Sequence, residues 1–226
     1  MTARVPKNVL LDLDGTLVDP RNGFIASIRY ALHSLGQEGP DDDTLASHIG
    51  PPLHETLRGL LGESHAGDVT EAVRLFREHY ADEGILEQTL YAGVPHALEQ
   101  LRQSGARLVL ATSKPRIFAQ RILDRFELTG LFFATHGSEL DGTRANKAEL
   151  IRYILEQESL APEDAVMIGD RAQDIHAARK NDLSSIGALW GYGAPDELVR
   201  AGATAVCGTP SGLPDAVMEI RCLPVI

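Results

Sequence analysis

Hydrophobic and polar positions follow three patterns along the 226-residue chain, and the patterns divide it. The first is a short aliphatic run, Val9, Leu10, Leu11 and Leu13, with the composition of a strand buried on both faces. The second is helical and runs from about residue 21 to about residue 88, with no strand pattern. Phe24, Ile25, Ile28, Ala31, Leu32 and Leu35 share one face there, and Val69, Ala72, Val73, Phe76 and Tyr80 form another stripe. Gly36 suits the stop of the first helix. Between the stripes, GPDDDTLASHIGPPLHETL predicts a turn, a short helix and another turn. The third pattern begins near residue 93 and alternates. A helix from Val94 to about Gln103 is stopped by Gly105, and the strand RLVLA follows at 107–111. A helix from Pro115 to Phe126 opens on a proline suited to a first turn. Then come the strand LFFATH, a helix over 146–158, the strand AVMIGD, a helix over 173–181 and the strand SSIGALW. A weaker unit closes the series, with an edge strand at Thr204 to Val206 and a helix from about Pro210.

Strands that alternate with helices and lack hairpin signals build a parallel sheet covered by helices on both faces. The helical block interrupts that series after the first strand. The expected organisation is therefore an α/β core of residues 1–18 and 90–226 with an all-helical insertion at 19–89. The length suits one domain carrying an insertion. A hydrophobic share of 43% and a charged share of 23% are ordinary for a soluble globular chain. The formal charge of −11 argues against a nucleic-acid polymer as partner, but not against a small phosphorylated one. Cys207 and Cys222 have no second cysteine or histidine at metal-ligand spacing, so they read as incidental thiols in a reducing cytoplasm. MTARVPKN is too short and polar to open a signal peptide, and no apolar stretch is long enough for a membrane span.

In open parallel sheets, ligands bind at the carboxyl ends of the strands. The first strand ends in Asp12 and Asp14, two apart and so on one side of an extended chain, just before Gly15. Two like charges there repel unless a cation lies between them. The strand RLVLA ends in Thr112 and Ser113, followed by Lys114. AVMIGD ends in Gly169 and Asp170, with Asp174 one helical turn later, and Lys147 opens a helix. Singly, each has a plainer reading: a capping acid, a strand-to-helix turn, a surface lysine. Jointly they bring acids, hydroxyls and a lysine to one sheet edge, and hard oxygen ligands of this kind suit Mg²⁺.

Four segments resemble, in order, the motifs of the haloacid dehalogenase-like phosphohydrolases: DLDGTLVD, LVLATS, NKAELI and GDRAQD. The resemblance covers nearly the whole chain, including a helical cap after the first motif. It implies a Rossmann-like α/β core, with Asp12 as nucleophile and metal ligand and Asp14 as proton donor and acceptor. Asp14 would also be a metal ligand through its main-chain carbonyl. Asp170 is implied as a direct Mg²⁺ ligand, and Asp174 would act from behind it. Thr112, Ser113 and Lys147 would bind the phosphoryl group, with N–H groups of Leu13 to Gly15 as a small anion nest. An acid at position 14 favours phosphoryl transfer, because the family's dehalogenases lack one there. A helical cap of this kind excludes water and implies a small phosphate ester as substrate.

IGPPL and GSELDGTRANKAEL look like the phosphoglycolate phosphatase-like branch, which shades into 5′-nucleotidase-like members. Three other readings stay open: a phosphomutase similar to β-phosphoglucomutase, a phosphoprotein phosphatase, and a non-catalytic module that keeps the fold. Arg144 and Arg171 are candidate readers of a phosphate or carboxylate, and His48 and His54 flank the IGPPL turn. A monomer or homodimer is expected.

Overall fold

The computed structural model describes residues 6–220. Cys222 and the first five residues of the amino-terminal segment lie outside the described residues. The chain divides into two compact units, residues 1–18 with 90–226 and residues 19–89. In chain order the elements are β1 (Asn8–Leu11), β2 (Val18–Asp19), α1 (Arg21–Ser34), α2 (Asp42–Ala46), α3 (Leu53–Leu61) and α4 (Val69–Asp82). There follow β3 (Thr89–Leu90), α5 (Val94–Gln103), β4 (Arg107–Pro115), α6 (Arg116–Arg125), β5 (Ala134–Ser138) and α7 (Lys147–Gln157). The last are β6 (Ala165–Gly169), α8 (Ala172–Lys180), β7 (Ser184–Ala188), α9 (Pro195–Ala201), β8 (Ala205–Cys207) and α10 (Leu213–Glu219).

The larger unit is built on a six-stranded sheet of order β5-β4-β1-β6-β7-β8, and every pairing in it is parallel. β1 lies between β4 and β6, so its residues are fully buried, which is why it reads as a continuous aliphatic run. Leu11 is level with Leu110 on one side and Ile168 on the other. The Asp12 N–H donates to the Ile168 carbonyl at 2.9 Å, carrying the ladder one residue further. Leu10, Val109 and Met167 of the sheet pack with Ile151 and Ile154 of α7 and Ala178 of α8. The chain leaves β1 for β4 on one side and reaches β6 on the other. That strand order makes the carboxyl end of β1 a topological switch point.

The smaller unit holds α1 to α4. Phe24 meets Phe76 edge-on at 5.7 Å, and Phe76 stacks on Tyr80 at 5.4 Å. A methyl group at Gly23 would overlap the Gly84 carbonyl, so α1 approaches that turn closely at a position the apolar stripe does not mark. The Asp41 carboxylate caps α2 by accepting from the Thr44 N–H at 2.8 Å.

Several boundaries differ from the sequence pattern. β4 runs on to Pro115, with an irregular register after Thr112. β5 begins at Ala134, not in LFF, and Phe133 instead lies under the Arg107 guanidinium, 3.8 Å from its ring centre. α9 has no counterpart in the expected elements. The two-residue strands β2 and β3, at the chain crossings between the units, pair with each other. Among the described residues, no helix is long and apolar enough to cross a membrane.

Candidate active site

The ends of β1 and β6, the first turn of α8 and the first residue of α7 deliver one buried cluster. Oxygen atoms of Asp12, Asp170 and Asp174 all lie within 4.8 Å of one another, and all three residues are buried. Lys147, itself buried, places its ammonium 2.6 Å from Asp12 Oδ1, 2.9 Å from Asp174 Oδ1 and 2.9 Å from the Ala111 carbonyl. It opens α7 because Asn146 caps that helix, accepting from the N–H groups of Ala148 and Glu149.

Charge in this cluster does not balance. The Lys147 ammonium pairs with Asp12 and Asp174, and Asp170 adds a third carboxylate to the same buried cluster. Burial pushes the Asp170 carboxyl well above its ordinary range, and the charges of Asp174 and Asp12 push it further. Burial raises Asp174 to about 6, with Lys147 opposing and Asp12 adding to the rise. For Lys147, burial works against the charge, but Asp12 and Asp174 together outweigh it and the pKa is raised. Three close carboxylates with a surplus of negative charge fit a hard divalent cation.

Asp14 is turned elsewhere. Both of its oxygens lie 2.9 Å from Lys114 Nζ, in a half-buried ion pair. Burial raises the Asp14 pKa, Lys114 lowers it, and the rise prevails. Its carboxylate is therefore outside the cluster of Asp12, Asp170 and Asp174 that could share one ion. Thr112, two residues before Lys114, is buried, and its hydroxyl accepts from the Lys114 N–H at 3.2 Å. The Ser113 carbonyl accepts from the Ser138 hydroxyl at 2.8 Å.

The Gly15 N–H donates to the Val18 carbonyl at 2.8 Å. The position also requires a glycine. Its φ is +83°, and a methyl group there would overlap the Asp170 carboxylate. Gly169 is constrained alike by Asp174, and Gly191 and Gly193 by Asp170.

Further groups hold the cluster that the sequence reading did not single out. Thr16, wholly buried, directs its hydroxyl at Asp170 Oδ1 at 3.4 Å, and its carbonyl accepts from Trp190 Nε1 at 3.0 Å. The Tyr192 N–H donates to Asp170 Oδ2 at 2.8 Å. Lys114 stood in the sequence directly after a strand end, a usable signal; Glu197 and the main-chain donor of Tyr192 carried none. Arg171 donates through Nε to Glu197 Oε1 at 3.2 Å, and Arg144 pairs with Glu139 and covers the Tyr153 ring. His48 and His54 lie in the smaller unit, half-buried and exposed respectively.

Comparison with known proteins agrees with this geometry. Residues 9–188 match the family described as haloacid dehalogenase-like hydrolase. A 5′-nucleotidase of Pseudomonas aeruginosa is 43% identical over 91% of this chain and 93% of its own. The tyrosine-protein kinase PtkA of Mycobacterium tuberculosis is 39% identical over 89% of this chain and 68% of its own. The crystal structure of a predicted phosphatase from Clostridium acetobutylicum superposes with a TM-score of 0.90 at 35% identity, covering 96% of this chain and 100% of that one. Proteins named phosphoglycolate phosphatase match at 29–31% identity over 81–96% of this chain and 71–95% of theirs. A parallel sheet whose strand ends gather buried acids around one lysine, within a match spanning most of the sequence, places this chain in the haloacid dehalogenase-like hydrolase family.

Proposed function

We propose that the protein is a Mg²⁺-dependent phosphatase that hydrolyses a small phosphate monoester through an aspartyl phosphate on Asp12. The observation that carries this is the buried Asp12 carboxylate, held 2.6 Å from Lys147 at the switch point of the sheet. Residues 1–18 and 90–226 carry the chemistry, and residues 19–89 serve as the cap. A divalent ion held by Asp12, Asp170 and the Asp14 main-chain carbonyl, with Asp174 beside it, would supply positive charge against the phosphoryl oxygens.

Asp12 attacks phosphorus, forming an oxygen–phosphorus bond as the ester oxygen departs. A dianionic phosphate repels this nucleophile, and Lys147 offsets the repulsion, its charge secured by the acids around it. Asp14 gives its proton to the departing oxygen, and its raised pKa supports that role. Lys114 holds both Asp14 oxygens and so orients the carboxyl. Asp14 then takes a proton from the water that attacks phosphorus, and Asp12 is released as a carboxylate. Thr112 and Ser113 bind the phosphoryl oxygens.

Two substrates have specific support. The relative at 43% identity supports a nucleoside monophosphate. The IGPPL and GSELDGTRANKAEL segments and the more distant relatives support phosphoglycolate. A cytoplasmic location belongs to the same reading and is supported by the scarcity of cysteine.

A panel of phosphoglycolate, nucleoside monophosphates, sugar phosphates and pyrophosphate, ranked by kcat/KM, identifies the substrate. Phosphate transferred to a sugar and not to water would mark a mutase. Transfer from ATP to tyrosine would mark a kinase like the mycobacterial relative. Asp12→Asn is expected to abolish turnover in a protein that stays folded. Retention of about a tenth of the parent rate, with deamidation ruled out, would remove Asp12 from the nucleophile's role.

A further inference from the structure

Asp170 and Asp174 stand on either side of the start of α8, so the placement of that helix sets the placement of both acids. α8 is not capped in the usual way. Arg171 stands at its amino-terminal boundary, and its N–H donates to Asp174 Oδ2 at 3.1 Å. The next N–H, from Ala172, is one of the orphan donors of a helix start. Its partner comes from another element: Glu197 Oε1, on α9, accepts it at 2.8 Å. The same oxygen accepts from Arg171 Nε at 3.2 Å. One carboxylate thus fastens both the main chain and the side chain of the segment between Asp170 and Asp174. Its negative charge also sits at the positive end of the α8 dipole.

α9 is itself well anchored for this work. Leu198, fully buried, packs with Ile175 of α8, and Ala201 belongs to the same cluster. Ahead of α9, the Tyr192 N–H binds Asp170 Oδ2, and Gly193 allows the loop to lie against the Asp170 carbonyl. The connection from β7 to α9 therefore touches the β6–α8 turn at its acid, its main chain and its helix start.

We propose that Glu197 is a positioning residue that holds the β6–α8 turn in the form that takes up a divalent cation. The proposal rests on the metal reading of Asp12, Asp170 and Asp174 given above. Glu197 touches neither substrate nor cation; it acts through Arg171 and Ala172. Both contacts use one oxygen as an acceptor, so reach and an acceptor are what the positioning requires; the charge adds to the Arg171 pair and to the helix dipole.

The test is binding of Mn²⁺ alone, with free ion counted by electron paramagnetic resonance, to the full chain and three variants. Loss of a supporting contact behind a metal ligand typically weakens metal affinity about 10- to 100-fold. Glu197→Ala and Glu197→Asp are expected to weaken Mn²⁺ binding at least about tenfold. Glu197→Gln, which keeps the acceptor at the same reach, is expected to stay within about threefold of the parent. At saturating cation, the KM for substrate is expected to be unchanged in all three. If Glu197→Ala does not fold, Glu197→Asp carries the test. A folded Ala or Asp variant that binds Mn²⁺ like the parent overturns the role of Glu197 and leaves the metal reading intact. So does a Gln variant as weak as Ala. A parent protein that takes up no Mn²⁺ overturns the metal reading, and this inference with it.

Discussion

Removing divalent cations should make the larger unit less stable as pH rises from about 4 toward 7. The cause is the crowd of buried carboxylates around Lys147. Burial, only partly offset by Lys147, lifts Asp174 from its ordinary 3.8 to about 6. Between those values the unfolded chain has released this proton and the folded chain keeps it, so folded stability falls as pH rises through the window. Roughly two pH units at ~1.4 kcal/mol each give a loss of about 3 kcal/mol, complete a little above pH 6. Asp170 is raised further still, chiefly by burial, and extends the loss to higher pH. Acids whose pKa is lowered, Glu99, Asp124 and Asp141 in this unit, act in the opposite sense, but only below their ordinary values. The assay is urea unfolding in chelator, followed by fluorescence of Trp190, the chain's one tryptophan, which lies in the larger unit. With an m-value of about 2 kcal/mol/M, the midpoint should fall by about 1.5 M across the window. Saturating Mg²⁺ binds the ionised acids and should flatten or reverse the slope. A metal-free midpoint that rises with pH across this range would refute the reasoning, as would a slope that Mg²⁺ leaves unchanged.

Two substitutions probe the same cluster. Lys147→Met removes the cation paired with buried Asp12 and Asp174, and should cost about 3–5 kcal/mol in chelator by urea unfolding, with Mg²⁺ restoring part of the loss. Its kcat should fall at least about 100-fold even with Mg²⁺, because the charge facing the phosphoryl group is gone. Gly15→Ala places a methyl group on the Asp170 carboxylate at a φ of +83°. It should weaken Mn²⁺ binding about tenfold or more, read by the same resonance titration.

Much of the site was legible because its carriers are local. Asp12 and Asp14 follow a run whose unbroken aliphatic character comes from burial on both faces of β1. Asp170 and Asp174 follow β6 in the same way, and Lys147 follows a capping asparagine. What stayed hidden depends on contacts between distant segments. Nothing near Glu197 marks it as the partner of Ala172, 25 residues away. Gly15 could be read as a turn glycine, but its conflict with Asp170 arises across 155 positions of sequence and exists only once the sheet is assembled. Asp14 and Lys114 are likewise joined only because β4 lies beside β1. Strands of two residues, such as β2 and β3, are too short to show any periodicity.

The account turns on Asp12 carrying phosphorus, and chemical trapping tests that most directly. Enzyme mixed with its best substrate and Mg²⁺ is quenched in acid, and the acyl phosphate is reduced with borohydride before peptide mass spectrometry. The account predicts homoserine at position 12 in the parent and none in Asp12→Asn. Reduction at a different acid, or trapping undiminished in Asp12→Asn, would contradict it.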